Sequence, residues 1–262
     1  MSLATQPVPV RSPLPTALAG QTALIIGGSS GIGLAAARLL AEVGARLILV
    51  ARDELRLEAA ASLQGADVAT FAADATDEAR LTQIFDAAGT VDHVLVTAGS
   101  VVGGALADAD RSTLQGSIDN RVWGAYAAAR VAAPRLAPGS SLTLMSGTFV
   151  VRPIPNAAAA IAGAAATEGL TRGLAVELAP RRIRVNALRA GAVDTPLMRS
   201  VLSQDGELEG PDADAAVAHA AKTLPLGRFG TAEEAAAAAL FVMANPYMTG
   251  SLLTIDGGQS LS

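Results

Sequence analysis

The run Ala23-Leu24-Ile25-Ile26-Gly27-Gly28-Ser29-Ser30-Gly31-Ile32-Gly33 constrains this chain more than any other segment. Consecutive aliphatic residues read as a strand covered on both faces. The glycines that follow are spaced Gly27-x3-Gly31-x-Gly33. Gly27 permits a tight turn, Gly31 lets the backbone come close to a pyrophosphate, and Gly33 lets a helix close onto the sheet. A helix opening near Gly31 aims its free N–H groups and positive dipole end into that turn, with Ser29, Ser30 and Ile32 beside it. A glycine-rich loop alone is weak support and is equally readable as a bare structural turn. Here it sits at the first strand of a repeating β–α rhythm, the context that gives it meaning.

That rhythm runs from Gly20 to the end. Thr22–Ile26, Arg46–Val50, Val68–Ala73, His93–Thr97, Ser141–Met145, Ile183–Leu188 and Leu252–Ile255 read as strands, with helical stretches between them. Repeated βα units with short connections predict an α/β fold: a single Rossmann-type, doubly wound parallel sheet of about seven strands with helices on both faces. The 262 residues suffice for one such domain, expected over 19–262. Residues 1–18, interrupted by four prolines, read as a flexible arm without a signal-peptide pattern. Residues 196–225 break the rhythm and are expected to form either a substrate lid or an ordinary surface insertion.

Net charge is −5, which disfavours nucleic acid and anionic membrane surfaces, both of which call for a basic patch. No apolar run reaches the ~20 residues of a membrane span. The chain has no cysteine, which excludes disulfides and thiol chemistry and fits a cytoplasmic location. No metal site is expected.

The end of the second strand bears on the choice between the two nicotinamide dinucleotides. An acid there would accept from ribose hydroxyls and repel a 2′-phosphate; the chain instead reads Ala51-Arg52-Asp53. A guanidinium at Arg52 can hold a 2′-phosphate through charge-assisted hydrogen bonds, so NADP(H) is favoured over NAD(H). The alternative is that Arg52 pairs with Asp53 or Glu54 on the surface.

Taken in order, these motifs resemble the short-chain dehydrogenase/reductase family from about Gly20 to Ser262. The glycine motif matches. Asp74 matches the acid that contacts adenine, and Ala98-Gly99 keeps half of a four-residue motif whose two asparagines are replaced by Val96 and Thr97. Asn120 matches the active-site asparagine. Gly191, Val193 and Thr195 fall in the nicotinamide loop, and Pro225-Leu226-Gly227-Arg228-Phe229, Thr249-Gly250 and Asp256-Gly257-Gly258 match the C-terminal signature. The resemblance implies an oxidoreductase that binds a nicotinamide dinucleotide through these residues and acts on a small molecule.

The catalytic residues depart from the family's pattern. Registered on Gly169-Leu170-Thr171-Arg172-Gly173-Leu174, the family's serine, tyrosine and lysine fall on Gly147, Ala160 and Ala164. In the family the tyrosine moves the proton on the substrate oxygen, and the lysine lowers the tyrosine pKa and holds the cofactor ribose. General acid–base help is worth roughly 10²–10⁴-fold, so its loss matters. Candidate replacements are Asn120, Ser146, Arg152 and Asn156. Asn156 is equally an N-cap, and Ser146 reaches the pocket only if its strand ends or bulges early. Arg189, Thr148 and Thr167 are weaker candidates, and His93 and His219 are expected to be structural or exposed. Tyr126-x3-Arg130 copies the catalytic spacing on the wrong helix.

Three activities remain open. They are an NADP(H)-dependent oxidoreductase acting on a small, fairly apolar carbonyl or alcohol by a non-standard acid, an inactive NADP(H)-binding sensor or partner subunit, and non-redox chemistry on the same fold. The Ala/Gly-rich helix at 157–178, with the 120–136 helix, predicts a homodimer or homotetramer.

Overall fold

The computed structural model describes residues 13–62, 67–203 and 210–262. Seven strands alternate with nine helices among those residues. In chain order they are β1 (Thr22–Ile26), α1 (Gly31–Glu42), β2 (Arg46–Ala51), α2 (Glu54–Ala61), β3 (Val68–Ala72), α3 (Glu78–Ala88), β4 (His93–Val96), α4 (Arg111–Ser117), α5 (Gly124–Ala132), β5 (Ser141–Gly147), α6 (Ala158–Leu178), β6 (Arg184–Ala190), α7 (Pro196–Leu202), α8 (Gly210–Ala221), α9 (Ala232–Ala244) and β7 (Leu252–Ile255). The strands form one parallel sheet in the order β3-β2-β1-β4-β5-β6-β7. This is the doubly wound Rossmann-type architecture expected from the sequence.

The aliphatic runs explain the layering. All five residues of β1 are buried, because successive side chains alternate between two apolar layers. Leu24 and Ile26 join α3, α5 and α6 on one face, and Ala23 and Ile25 join α1 and α9 on the other. Alanine dominates the helix faces that meet the sheet: Ala35, Ala36 and Ala37 of α1 and Ala235, Ala236 and Ala239 of α9 are all buried. Short side chains there let α1 and α9 approach each other closely.

Three expectations need correction. The N-terminal arm does not extend to residue 18: Pro15–Leu18 form a 3-10 turn, and Leu18 is buried against the α1–α9 layer. Residues 1–12 lie outside the described residues. β5 runs to Gly147 and β6 to Ala190, since each extends the other's ladder through the pair Gly147↔Ala190. The helix expected to start at Asn120 starts nine residues earlier, at Arg111, behind an Asp110–Thr113 capping box, and passes through a π-helical turn at Ile118–Trp123. The segment 196–225 contains α7 and α8, while residues 204–209 lie outside the described residues. Among the described residues no helix is long and apolar enough to cross a membrane.

Candidate active site

The segments that follow β1 to β6 meet along one edge of the sheet in a cleft of about 450 Å³. The strand order reverses between β1 and β4, the point at which open α/β sheets bind ligands. Arg52 and Asp74 lie at one end of the cleft and the glycine turn in its middle. Asn120, Ser146 and Gly147 lie toward the other end.

The glycine turn is closed to side chains. Gly27 adopts φ +98°, and a Cβ there would sit 2.6 Å from the Ala98 amide nitrogen. A Cβ on Gly33 would meet the Gly27 carbonyl oxygen directly and Thr97 Oγ1 at 2.6 Å. Thr97 Oγ1 donates to the Gly27 carbonyl at 3.1 Å, so the residue standing in for an asparagine ties β4 to the turn. Ser30 is extended at the start of α1, and its side chain makes no capping bond, which leaves the first-turn N–H groups directed at the cleft. Gly31, Ser29, Ile32, Ala98, Gly99, Gly191, Val193 and Thr195 all line the same space, so the cofactor residues expected from the sequence are brought together.

At the outer end, Arg52 is exposed, lines the cleft and forms no ion pair among the described residues. Asp53 is engaged elsewhere: it caps α2 by accepting from the Arg56 backbone N–H at 3.0 Å and faces the Arg56 guanidinium at 3.3 Å. Arg56 also lines the cleft, a second cation that the sequence reading missed although it lies one helical turn from Arg52. Hydrogen bonds from the Thr76 hydroxyl (2.6 Å) and amide (2.8 Å) hold the Asp74 carboxyl below the usual carboxylate range; burial opposes them and the Arg52 charge adds a smaller effect in the same direction.

The inner end is less familiar. Asn120 sits exposed on the π-helical turn, its Nδ2 donating to the Gly116 carbonyl at 2.8 Å. Ser146 borders the cleft, but its hydroxyl donates to Glu168 Oε1 at 2.8 Å. The same carboxylate accepts two bonds from Arg189, at 2.8 and 2.7 Å, in a pair whose side chains are only 15% and 6% exposed. Burial pushes the Glu168 carboxyl up, yet the bonds from Arg189 and Ser146 outweigh it and hold the group below its ordinary value. Arg189 therefore anchors β6 to α6 and does not line the cleft.

Gly147 ends β5 beneath the ring of Phe149, which lies where a side chain on residue 147 would go: a Cβ would come 2.6 Å from Phe149 Cζ. Ala160 and Ala164 are 1% and 0% exposed and do not line the cleft. Arg152 and Asn156 are exposed and also stand outside it. Asn156 does not cap α6: it adopts φ +59°, and its carbonyl accepts from the Gly104 amide at 2.7 Å, leaving Ala157 at the cap position. His93 bridges Ser141 and Gln21 within the fold, and Tyr126 stacks on Trp123 at the surface.

Comparison with known proteins sets this geometry in context. The family model described as enoyl-(acyl carrier protein) reductase matches residues 27–260. Galactitol 2-dehydrogenase (L-tagatose-forming) of Cereibacter sphaeroides is 37% identical over 257 residues, covering 93% of this chain and 96% of that protein. Carbonyl reductase family member 4 of Danio rerio is 31% identical over 248 residues, covering 91% of this chain and 98% of that protein. Among solved structures, a short-chain oxidoreductase of Pseudomonas aeruginosa PAO1, described as containing an atypical catalytic center, superposes with a TM-score of 0.81 at 29% identity, over 91% of this chain and 96% of that one.

Proposed function

The chain belongs to the short-chain dehydrogenase/reductase family, whose members are NAD(P)-dependent oxidoreductases, and from that premise we propose that it is an NADP(H)-dependent reductase or dehydrogenase of a small carbonyl or alcohol that works without the family's serine, tyrosine and lysine. The observation that carries the cofactor preference is the pair of guanidiniums, Arg52 and Arg56, at the cleft end beside a glycine cradle with no room for a Cβ. Ala51 stands where a carboxylate would turn a 2′-phosphate away. Bound there, the cofactor would supply or accept a hydride. The first-turn amides of α1 would hold the pyrophosphate and Arg52 and Arg56 the 2′-phosphate, with Thr195, at the start of α7, lining the same cleft. With Gly147, Ala160 and Ala164 at the catalytic positions, the protein orients substrate and cofactor but offers no tyrosine to move the proton. The helices α7 and α8 would form the lid over this end.

Fluorescence titration with NADPH and NADH tests this reading. NADPH is expected to bind at least tenfold tighter, and Arg52→Gln to remove about 10- to 100-fold of NADPH affinity while leaving NADH unchanged. Equal affinities for the two, or equal losses in the variant, would assign Arg52 to the surface.

A second reading is favoured by one specific feature. Ser146, the hydroxyl bordering the inner end among the sequence candidates, has its proton committed to Glu168. In that reading the chain binds NADP(H) as a sensor or partner subunit and turns nothing over. Cofactor binding with no consumption of NADPH across a broad set of ketones, aldehydes and activated alkenes is its signature.

A further inference from the structure

Arg121 follows Asn120 on the π-helical turn and lines the inner end of the cleft. Its guanidinium has five N–H donors, and among the described residues one is used: Nη2 donates to the Ser100 carbonyl at 3.2 Å. Its Nε is buried and has no hydrogen-bond partner among the described residues. No carboxylate among the described residues pairs with it; the neighbouring acid, Asp119, instead accepts from Gln115 at 2.7 Å. The Phe149 ring also lies close, its centroid 6.0 Å from the guanidinium carbon, within reach of a cation–π attraction. Burial pushes the Arg121 pKa below its ordinary value, although a guanidinium stays charged at neutral pH.

A charged group drawn out of water and left without a counter-ion is costly, and such groups are ordinarily paired. Arg189 and Arg199 hold carboxylates, Glu168 and Asp194, whereas Arg181, which pairs with none among the described residues, donates to two backbone carbonyls. Arg121 donates to one, at a point where a ligand would lie. Ser100 follows β4 and Phe149 follows β5, two and three positions along the sheet from β2, where Arg52 sits, with the pyrophosphate turn after β1 between them. The cofactor phosphates are thus provided for at the turn and the outer end, and Arg121 faces what occupies the inner end.

We propose that Arg121 is a substrate-binding residue and that the substrate carries a carboxylate, held by the planar guanidinium with Phe149 supporting it from behind. Gly147 is part of the same arrangement, because only a residue without a side chain leaves room for the Phe149 ring. The inference rests on the cofactor reading above for the identity of the cleft and deepens it by naming the class of substrate: an oxo or hydroxy acid, or another carbonyl compound bearing an acid group.

The test uses calorimetry on the full-length protein at low salt, free and saturated with NADPH. Butanoate and octanoate are each titrated against the matching primary amide, which has the same shape and no charge. The carboxylates are expected to bind roughly 10- to 100-fold tighter than the amides, the range of one or two charge-assisted hydrogen bonds. Arg121→Gln should erase that preference; Arg121→Lys, which keeps the charge but loses the fork, should keep part of it. Thermal melts of both variants establish that they fold, and Arg121→Lys carries the test if Arg121→Gln does not. Equal binding of acids and amides to the unaltered protein overturns the proposal. So does a preference that survives in Arg121→Gln, or a variant whose loss falls on NADPH affinity instead. Failure of NADPH to bind would sink the cofactor reading alone, since the titrations of the free protein still decide the role of Arg121.

Discussion

At the residue scale, two glycines illustrate how the identity of the blocking atom decides what a substitution does. At Gly33 a new methyl meets the Gly27 carbonyl, which is held by the turn and by Thr97, so nothing nearby is free to yield. Gly33→Ala is expected to cost about 1–3 kcal/mol of stability and to abolish NADPH binding, as read by urea unfolding and nicotinamide fluorescence. At Gly147 the obstacle is the far edge of the Phe149 ring, and a ring can rotate away. Gly147→Ser should therefore cost less than Gly33→Ala, and most of its cost should disappear when combined with Phe149→Ala. An equal cost for the two single substitutions would mean that the Phe149 ring is as rigidly held as the turn. Restoring the family's serine should not restore ordinary ketone reduction, because Ala160 and Ala164 remain without acid or cation and are too closely buried to be enlarged freely.

At the scale of elements, the Arg189–Glu168 pair joins β6 to α6 and, through Ser146, to β5. Removing one member strands the other charge in a nearly dry site. Glu168→Ala is expected to cost about 3–5 kcal/mol in chemical denaturation, whereas replacing both members with leucine should cost far less. The pH dependence follows from the direction of the shift. The folded carboxyl titrates below its ordinary value of 4.5, so the unfolded chain binds the proton first. The stabilisation is complete above about pH 4.5 and fades as pH falls through the lower folded value. The Glu168→Leu/Arg189→Leu protein should show a shallower acid limb than the unaltered one; identical limbs would assign acid sensitivity to other carboxylates such as Asp194. What was legible in the sequence divides along the same line. The strands and the glycine cradle were legible because consecutive aliphatics and fixed glycine spacings act locally. Arg121 and Phe149 were not, since one reaches the cleft through a π-helical turn and the other by folding back over Gly147. The structural role of Arg189 is not legible either, because its partner lies twenty-one positions away on another element. The nearest available signal for Arg121 was a charged side chain directly after Asn120.

At the scale of the whole molecule, the exposed face of α6 is unusually bare. Ala162, Ala165, Ala166, Gly169, Gly173 and Val176 are all solvent-exposed, and a Cβ built on Gly169 or Gly173 meets nothing within 4 Å. Glycine in a helix interior costs about 1 kcal/mol relative to alanine, so an exposed helix carrying two of them is less stable alone than it need be. Small residues repeated at three- and four-residue spacing let a second helix approach closely, and the half-exposed Trp123–Tyr126 pair widens the apolar surface beyond α6. A two-fold pairing of α6 against its copy, the arrangement that a homodimer or homotetramer would use, would account for both features. Gly169→Arg and Gly173→Arg separate assembly from folding. Within one chain neither arginine meets an obstacle, and each improves helix propensity, so the isolated protomer should be as stable or slightly more so. Within a close helix pair the long side chain has nowhere to go. Light scattering at micromolar concentration should show a dimer or tetramer for the unaltered protein and a monomer for the double variant, with NADPH affinity unchanged because α6 contributes its opposite face to the sheet. A monomer before substitution, or an assembly that persists after it, would place any contact between copies elsewhere and leave the two glycines without a role in assembly.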